Sequence, residues 1–367
     1  MTSGVLFGGP TPEHDISILT GLQALRELAR SEGDPFGIYW TKSGSFFSIA
    51  SDVEADAFLD GVPKGSSELA LRLGDGGGFF STGGRLAKER KIELDALILA
   101  THGGPGEDGT LQSALDLAGI NYSGPSLAGA AIGMDKWAFS SLVAQAGLPT
   151  LPRVLFAGDT DSLPFEGPYI LKPRFGGSSI GIEVIADLAT ARARLSINPH
   201  FANGCVVEPY REDLTDVQIG LRTYPTLGLS AIERPLRRSR AEILDYRDKY
   251  VAGEGMAAAP RELPAVLPPG QEEEIIRLTK AIAEICLVRG VARLDFLANA
   301  TDIFVNEINT IPGSLARYLF VDPPLTFGAL LRDLLAEARE RPAHRYSAAG
   351  ADGTVLRSAT SIAAKLA

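Results

Sequence analysis

The chain opens on a short apolar run at residues 4–7, then glycines, then Ile16, Leu19, Leu22, Leu25 and Leu28 at helical spacing. The change from a continuous apolar run to one apolar face predicts a strand, a glycine turn and an amphipathic helix. Apolar runs at 37–40 and 96–100 predict further strands, the second ending in a glycine-rich loop over 101–109. Strand, loop and helix in alternation imply a mostly parallel α/β layer. Residues 60–93 are glycine-rich and irregular, and their pattern predicts no element.

A second region is expected from about Ser126. A helix over 134–146 stops at Gly147, with Pro149 and Pro152 beyond it, which is the usual C-terminal punctuation. Short β runs follow at 153–156, 169–172, 181–185 and 205–208. A third region begins with a helix over 271–288, whose Glu272, Glu273 and Glu274 suit the positive end of its dipole. Strands at 291–297 and 303–309 are joined by a turn at 299–302, and a helix over 327–339 comes next. The expected division is therefore 1–125, 126–208 and 209–340, with a tail at 341–367 rich in Ala and Ser.

A length of 367 residues suits two or three packed subdomains, and 45% hydrophobic with 22% charged residues is ordinary for a soluble protein. The net charge of −10 argues against a nucleic-acid partner. Cys205 and Cys286 cannot build a disulfide framework or a metal site by themselves. The first residues lack a basic segment followed by a long apolar run, and no stretch reaches the length of a membrane span. A cytoplasmic protein with no membrane contact is the expectation.

Candidate chemistry gathers near the C-terminal hairpin. Residues two apart on a strand share a face, so Glu307 and Asn309 project together, and the hairpin can bring Asp295 alongside. Two carboxylates and an amide oxygen are hard ligands that suit Mg²⁺ held partly by phosphates. On spacing alone a solvated acidic hairpin face is the plain alternative. Arg293 precedes Asp295 by two positions and faces the same side. Lys172 closes the apolar run Tyr169-Ile170-Leu171, which disfavours a simple surface lysine.

The residues around these positions resemble the D-alanine–D-alanine ligase family, whose members have the ATP-grasp fold. Six motifs recur in the family's order: Gly8-Gly9 with Glu13-His14-Asp15-Ile16-Ser17; His102 to Gly109 with Gln112; Met134-Asp135-Lys136; Lys172-Pro173 with Gly177-Ser178-Ser179-Ile180-Gly181; Asp245 to Tyr250; and the pair Gly290–Phe296 and Val305–Gly313. The resemblance covers residues 4–340 or so. It implies an α/β ATP-grasp fold with a Rossmann-like N-terminal subdomain and nucleotide bound between the central and C-terminal subdomains. It implies an ATP-dependent ligase that activates a carboxylate as an acyl phosphate and joins it to an amine. The cofactors implied are ATP and one or two Mg²⁺, with Mn²⁺ as a substitute. Small amino-acid-like substrates and a homodimer are implied as well.

Each matched residue carries an implied role. Lys136 and Lys172 would reach the nucleotide phosphates, and Ser179 lies in the glycine loop over them. Glu208 would face the adenine amino group with Tyr210 beside it, Asp216 would hold the ribose, and Lys249 would sit by the transferred phosphoryl group. Asp213 competes with Asp216 for the ribose role. Glu13, Ser178 and Tyr250 would hold the amino group of the first substrate, with His102 close by or simply orienting backbone. Arg293 and the Gly313 amide would stabilise the tetrahedral oxyanion, and Asp295, Glu307 and Asn309 would hold the metal.

The resemblance breaks in the phosphate loop, where Gly176 stands in place of a glutamate and leaves room, and in the acceptor site. The family sets a serine and then a leucine on the carboxylate of the second substrate, whereas Tyr318 and Leu319 stand there. The acceptor site is thus expected to be reshaped. A cell-wall ligase and a ligase of specialised metabolism with another acceptor both fit. An inactive nucleotide-binding module does not fit the intact set of charged residues.

Overall fold

The N-terminal run forms β1 (Ser3–Gly8), buried from Gly4 onward, and α1 (His14–Ser31) packs on it. The computed structural model describes residues 2–31, 33–82, 88–236, 260–342, 344, 346–359 and 361–363. Along α1 the buried apolar residues are Ile16, Ile18, Leu22, Ala24, Leu25 and Leu28, while Leu19 is exposed. The sequence reading took every third residue. The helix advances 3.6 residues per turn, so Leu19 rotates off the buried face and Ile18 onto it.

Seven strands form the first sheet, in the order β6-β5-β4-β3-β2-β1-β7. β2 (Phe36–Trp40) and β7 (Ala96–Ala100) flank β1 in parallel, with Leu6 opposite both Ile38 and Leu99. β3 (Phe46–Ile49), β4 (Ser67–Arg72), β5 (Gly78–Ser81) and β6 (Arg90–Lys91) continue the sheet antiparallel. The sheet is therefore parallel only around β1. Among the described residues between β2 and β6 no helix of a length able to carry a parallel crossover intervenes, and successive strands reverse. The glycine-rich 60–93 segment, which predicted nothing, supplies three of these strands.

α2 (Thr110–Leu117) follows the glycine loop. The expected helix over 134–146 is two helices, α3 (Leu127–Met134) and α4 (Lys136–Gln145), broken at Asp135. Asp135 is extended, with φ −83° and ψ 99°, and its carboxylate caps α4 by accepting from the amides of Trp137 and Ala138.

Two antiparallel sheets follow. The first has the order β10-β9-β11-β8 and is made of β8 (Val154–Phe156), β9 (Tyr169–Pro173), β10 (Glu183–Ile185) and β11 (Cys205–Pro209), with α5 (Leu188–Ile197) beside it. The second has the order β14-β13-β12-β15-β16, from β12 (Thr215–Arg222), β13 (Gly228–Pro235), β14 (Arg261–Glu262), β15 (Val291–Ala298) and β16 (Ile303–Asn309). α6 (Gln271–Ile285) buries Ile275, Leu278 and Ile282 in this sheet's core.

After β16 the chain returns to the N-terminal sheet. A tight 3-10 turn (Gly313–Leu319) packs on α1, and α7 (Phe327–Glu340) buries Leu330, Leu331, Leu334, Leu335 and Ala338 in the N-terminal core. Each of these leucines contributes about 1.5–3 kcal/mol on full burial. The C-terminal helix therefore fastens the last segment to the first, and this sets the geometry of the site. Among the described residues of the tail beyond 341 lies a short helix, α8 (Thr354–Ser358), with Val355 and Leu356 exposed.

Candidate active site

Between the two antiparallel sheets lies a cleft of about 980 Å³, open space included. Its lining comes from β9, β11, β12, β15, β16 and the loop after β9, and includes Lys136, Lys172, Ser179, Tyr210, Asp216, Asp295 and Glu307. The sequence placed Asp295 and Glu307 among these on a metal and the others on one nucleotide.

Lys136 opens α4 and donates from Nζ to the Gly176 carbonyl at 2.6 Å, with Glu307 Oε2 3.3 Å away. The lysine thus links the glycine loop to β16. Lys172 is buried on β9, with Nζ 2.7 Å from Glu208 Oε1 and 3.2 Å from Asn306 Oδ1. Arg153 also reaches Glu208 Oε1, at 3.1 Å, and donates to the Lys136 carbonyl at 2.8 Å. Burial pushes the Lys172 ammonium below its ordinary range, Glu208 pulls it back, and Arg153 adds to the depression. Burial pushes the Glu208 carboxyl up, but Arg153 and Lys172 together hold it below the usual range. The triad holds two cations against one buried carboxylate, which suits a polyanion beside it.

Glu208 therefore lies in the cleft wall with its carboxylate engaged by two cations. Arg153 and Asn306 were not singled out from sequence. The signal was an arginine between a proline and an apolar strand, and an asparagine facing opposite to Glu307.

Asp216 lines the cleft, and Asp213 does not. Arg211 forks onto Asp213 with two bonds of 2.7 Å, and the guanidinium holds that carboxyl well below the usual range. This separates the two ribose candidates.

On the hairpin, Asp295 pairs with Glu307 and Arg293 with Asn309 across β15 and β16. Arg293 grips Asp295 bidentately at 2.7 and 2.8 Å, and Asn309 donates to Asp295 Oδ2 at 3.2 Å. Among the described residues no three His, Cys, Asp or Glu side chains form a metal cage of their own. A donor set of two carboxylates and an amide fits a hard cation that takes its remaining oxygens from substrate and water.

The opposite end of the site joins the N-terminal sheet to the glycine loops. Glu13 is buried at the start of α1 and accepts a hydrogen bond from Ser178 Oγ. A Cβ at Gly103 would lie 2.4 Å from Glu13 Oε2, and one at Gly177 would lie 2.9 Å from it. A side chain at either position would press on that carboxylate, and Gly103, at φ +65°, also holds backbone that favours glycine. Ser178 and Ser179 hold left-handed backbone, with φ of 52° and 59°. Tyr250 and Lys249 lie outside the described residues.

Glu107, quoted in a motif but given no role, is the second buried carboxylate here. It accepts from the Gly103 amide at 3.0 Å, the Thr310 hydroxyl at 3.1 Å and the Ile311 amide at 2.9 Å. Burial, with the nearby charge of Glu13, raises its pKa to about 7.

His102 is saturated. Its Nδ1 meets the Ile311 carbonyl at 2.7 Å and its Nε2 meets Thr20 Oγ1 at 2.8 Å. Burial lowers its pKa to about 4. Of the two sequence readings of His102, this arrangement is that of a residue that orients backbone.

The Gly313 turn is unusual. Ser314, Leu315 and Ala316 all hold left-handed φ of 50–51°, at about 1–2 kcal/mol per residue. Leu319 is wholly buried in the N-terminal core, so only its backbone remains for a substrate. Tyr318 points its hydroxyl to 3.5 Å from Arg293 Nη1, and Arg261 lies 5.0 Å over its ring. Arg261 also pairs with the buried Glu233 at 2.9 Å. The tyrosine thus stands against the arginine expected to stabilise the oxyanion, where a serine would leave room.

The family model for the D-ala D-ala ligase N-terminus matches residues 2–125, and that for its C-terminus matches 142–336. A D-alanine–D-alanine ligase of Nitratiruptor sp. is 31% identical, covering 91% of this chain and 93% of that protein. One from Wolinella succinogenes is 30% identical, with coverages of 94% and 97%. The crystal structure of D-alanine–D-alanine ligase from Helicobacter pylori superposes with a TM-score of 0.72 at 26% identity, covering 91% of this chain and 98% of that one. VanG D-Ala:D-Ser ligase from Enterococcus faecalis shares the fold, with a TM-score of 0.75 at 23% identity over 92% and 99%. The chain therefore belongs to the D-alanine–D-alanine ligase family, whose ATP-grasp fold and ATP-dependent, ADP-forming ligase chemistry it shares.

Proposed function

We propose that this enzyme joins the carboxylate of one small amino acid, D-alanine in the first instance, to the amine of a second through an acyl phosphate. The observation that carries this reading is a second cluster at the border of the cleft. Lys136, Lys172, Glu208 and Asp216 line the cleft itself. Beyond that lining, Ser178, between the lining residues Gly177 and Ser179, bonds Glu13, and Arg293 grips the lining residue Asp295. A site for ATP alone would have no use for a buried carboxylate cradled by two glycines.

In the proposed sequence, Glu13 and Ser178 hold the ammonium of the first amino acid, with Tyr250 as the third member. Its carboxylate attacks the γ-phosphorus of ATP, and ADP leaves. Lys136 and Lys172 offset the phosphate charge, Ser179 adds a donor, Tyr210 and Glu208 flank the base, and Asp216 takes the ribose. Lys249 stands by the transferred group. The second amine then attacks the acyl carbon. Arg293 and the Gly313 amide receive the developing oxyanion, and inorganic phosphate leaves. Asp295, Glu307 and Asn309 would hold Mg²⁺, or Mn²⁺ in its place; when bound, the ion neutralises phosphate charge.

The subdomains proposed for these parts are 1–125, 126–208 and 209–340. A homodimer in the cytoplasm completes the proposed setting. Tyr318 supports a modified acceptor: its ring fills space beside Arg293 and leaves Leu319 to contribute backbone alone.

The test is ADP release from ATP and Mg²⁺ across a panel of D- and L-amino acids, with product masses. D-alanyl-D-alanine as the main product supports a cell-wall ligase. A mixed amide supports the altered acceptor. Failure to release ADP with any pair would overturn the ligase proposal.

A further inference from the structure

We propose that Thr20 of α1 is a positioning residue for the turn after β16, holding the Gly313 amide in place for acyl transfer; this rests on the ligase reading above. Thr20 is 1% exposed and lies on the buried face of α1 that also carries Ser17, with Glu13 in the turn just before the helix. Its hydroxyl is 294 residues away in sequence from the group it binds: Ser314 donates its amide to Thr20 Oγ1 at 3.1 Å.

The direction of the remaining bonds follows from elementary chemistry. The Ile311 carbonyl can only accept, so His102 Nδ1, 2.7 Å away, carries the proton. A neutral imidazole then offers a lone pair at Nε2, and Thr20 donates to it across 2.8 Å. Thr20 thereby uses its one proton toward His102 and its lone pair toward Ser314. The ring closes through the chain itself, from the Ile311 carbonyl through Pro312 and Gly313 to the Ser314 amide. Glu107 clamps the same segment one bond earlier, through the Thr310 hydroxyl and the Ile311 amide.

This ring matters because the turn is not self-supporting. Ser314, Leu315 and Ala316 are held left-handed without a glycine among them. Such backbone persists where the surroundings over-determine it. Thr20 fixes the Gly313 side of the strained run to the N-terminal helix, and the helix is fixed in turn by α7. A Gly313 amide turned away from the acyl carbon would leave the oxyanion to Arg293 alone.

The variants are Thr20→Val, which keeps the shape and removes the hydroxyl, and Thr20→Ser, which keeps the hydroxyl. Two readouts are made on the full-length protein. The first is hydrogen exchange of the peptide that carries the Ser314 amide, which needs no substrate. Thr20→Val is expected to accelerate it on the order of tenfold, the effect of losing one net hydrogen bond, and Thr20→Ser to leave it near wild type. The second is the ratio of ADP released to amide formed, with D-alanine as both substrates. Acyl phosphate should still form in Thr20→Val, but slower aminolysis lets it escape and hydrolyse, so the ratio rises while amide turnover falls about 10- to 100-fold. A smaller folded fraction would lower turnover and leave the ratio unchanged.

Thr20→Ser restoring both readouts supports the assignment. Unchanged exchange at Ser314 in Thr20→Val, or equal impairment of the two variants, overturns it. If the wild type forms no amide with any pair, the ligase reading fails, and the exchange experiment still decides the role of Thr20.

Discussion

Two buried titratable groups with opposite shifts stand within one network, and replacing one should uncover the other. Glu107 is raised from 4.5 to about 7, by burial first and by Glu13 second. The native state therefore keeps the proton that the unfolded chain has lost, and the group's contribution to stability is lost as pH rises from 4.5 through 7. At 1.36 kcal/mol per tenfold change, that amounts to about 3 kcal/mol. His102 is lowered from 6.5 to about 4 by burial. Its unfolded form takes up a proton first, so its contribution, again about 3 kcal/mol, is lost as pH falls from 6.5 to 4. Between pH 4.5 and 6.5 the two slopes oppose and nearly cancel.

Glu107→Gln removes one slope. An amide oxygen can keep the bonds from Thr310 and Ile311, but its NH₂ then meets the Gly103 amide, donor against donor. That mismatch costs about 1–3 kcal/mol at low pH, where the wild-type acid is neutral. Above pH 7 the variant escapes the charge burial that penalises the wild type. The difference in unfolding free energy between variant and wild type should move by about 3 kcal/mol in the variant's favour from pH 4 to pH 8. Urea unfolding of both proteins across that range measures it, and taking the difference cancels the titrating groups that do not interact with Glu107. Parallel curves from pH 4.5 to 7 would refute the reasoning, because Glu107 would then titrate alike in both states.

Three further outcomes follow from the site. Glu307→Gln should abolish ligation and leave the melting curve little moved, since the Glu307 side chain is 27% exposed and its ion pair with Lys136 spans 3.3 Å; measurable turnover would count against the metal assignment. Gly103→Ala places a Cβ 2.4 Å from Glu13 Oε2 at a φ of +65°, so turnover should fall at least about 100-fold with the KM for ATP little changed; normal kinetics would show that the loop yields. Tyr318→Ser opens space beside Arg293 and should change which amine is accepted, read by product mass in mixed-acceptor assays, and a change in ATP affinity alone would contradict the acceptor role.

Much of the chain declares itself locally. The strands at 96–100 and 303–309 and the helices at 271–285 and 327–340 follow from runs and periods that neighbouring residues complete. The hairpin carrying Asp295, Glu307 and Asn309 could be placed because strand alternation fixes which side chains share a face. Motif order fixed the family.

Other features needed the folded chain. β4 to β6 hide in a glycine-rich segment because these short strands gain their stability from the neighbours they pair with rather than from their own pattern. Asp213 and Asp216 are equivalent by residue type, and only the position of Arg211 separates them. From sequence His102 could stand close to the substrate pocket or orient backbone, and that Thr20 and Ile311 meet both of its nitrogens is visible only in the fold. Thr20 left just a faint trace, a polar residue on the inward face of an apolar helix. A sequence specifies which groups are available and how they repeat along one element; which of them meet is decided by packing between elements hundreds of residues apart.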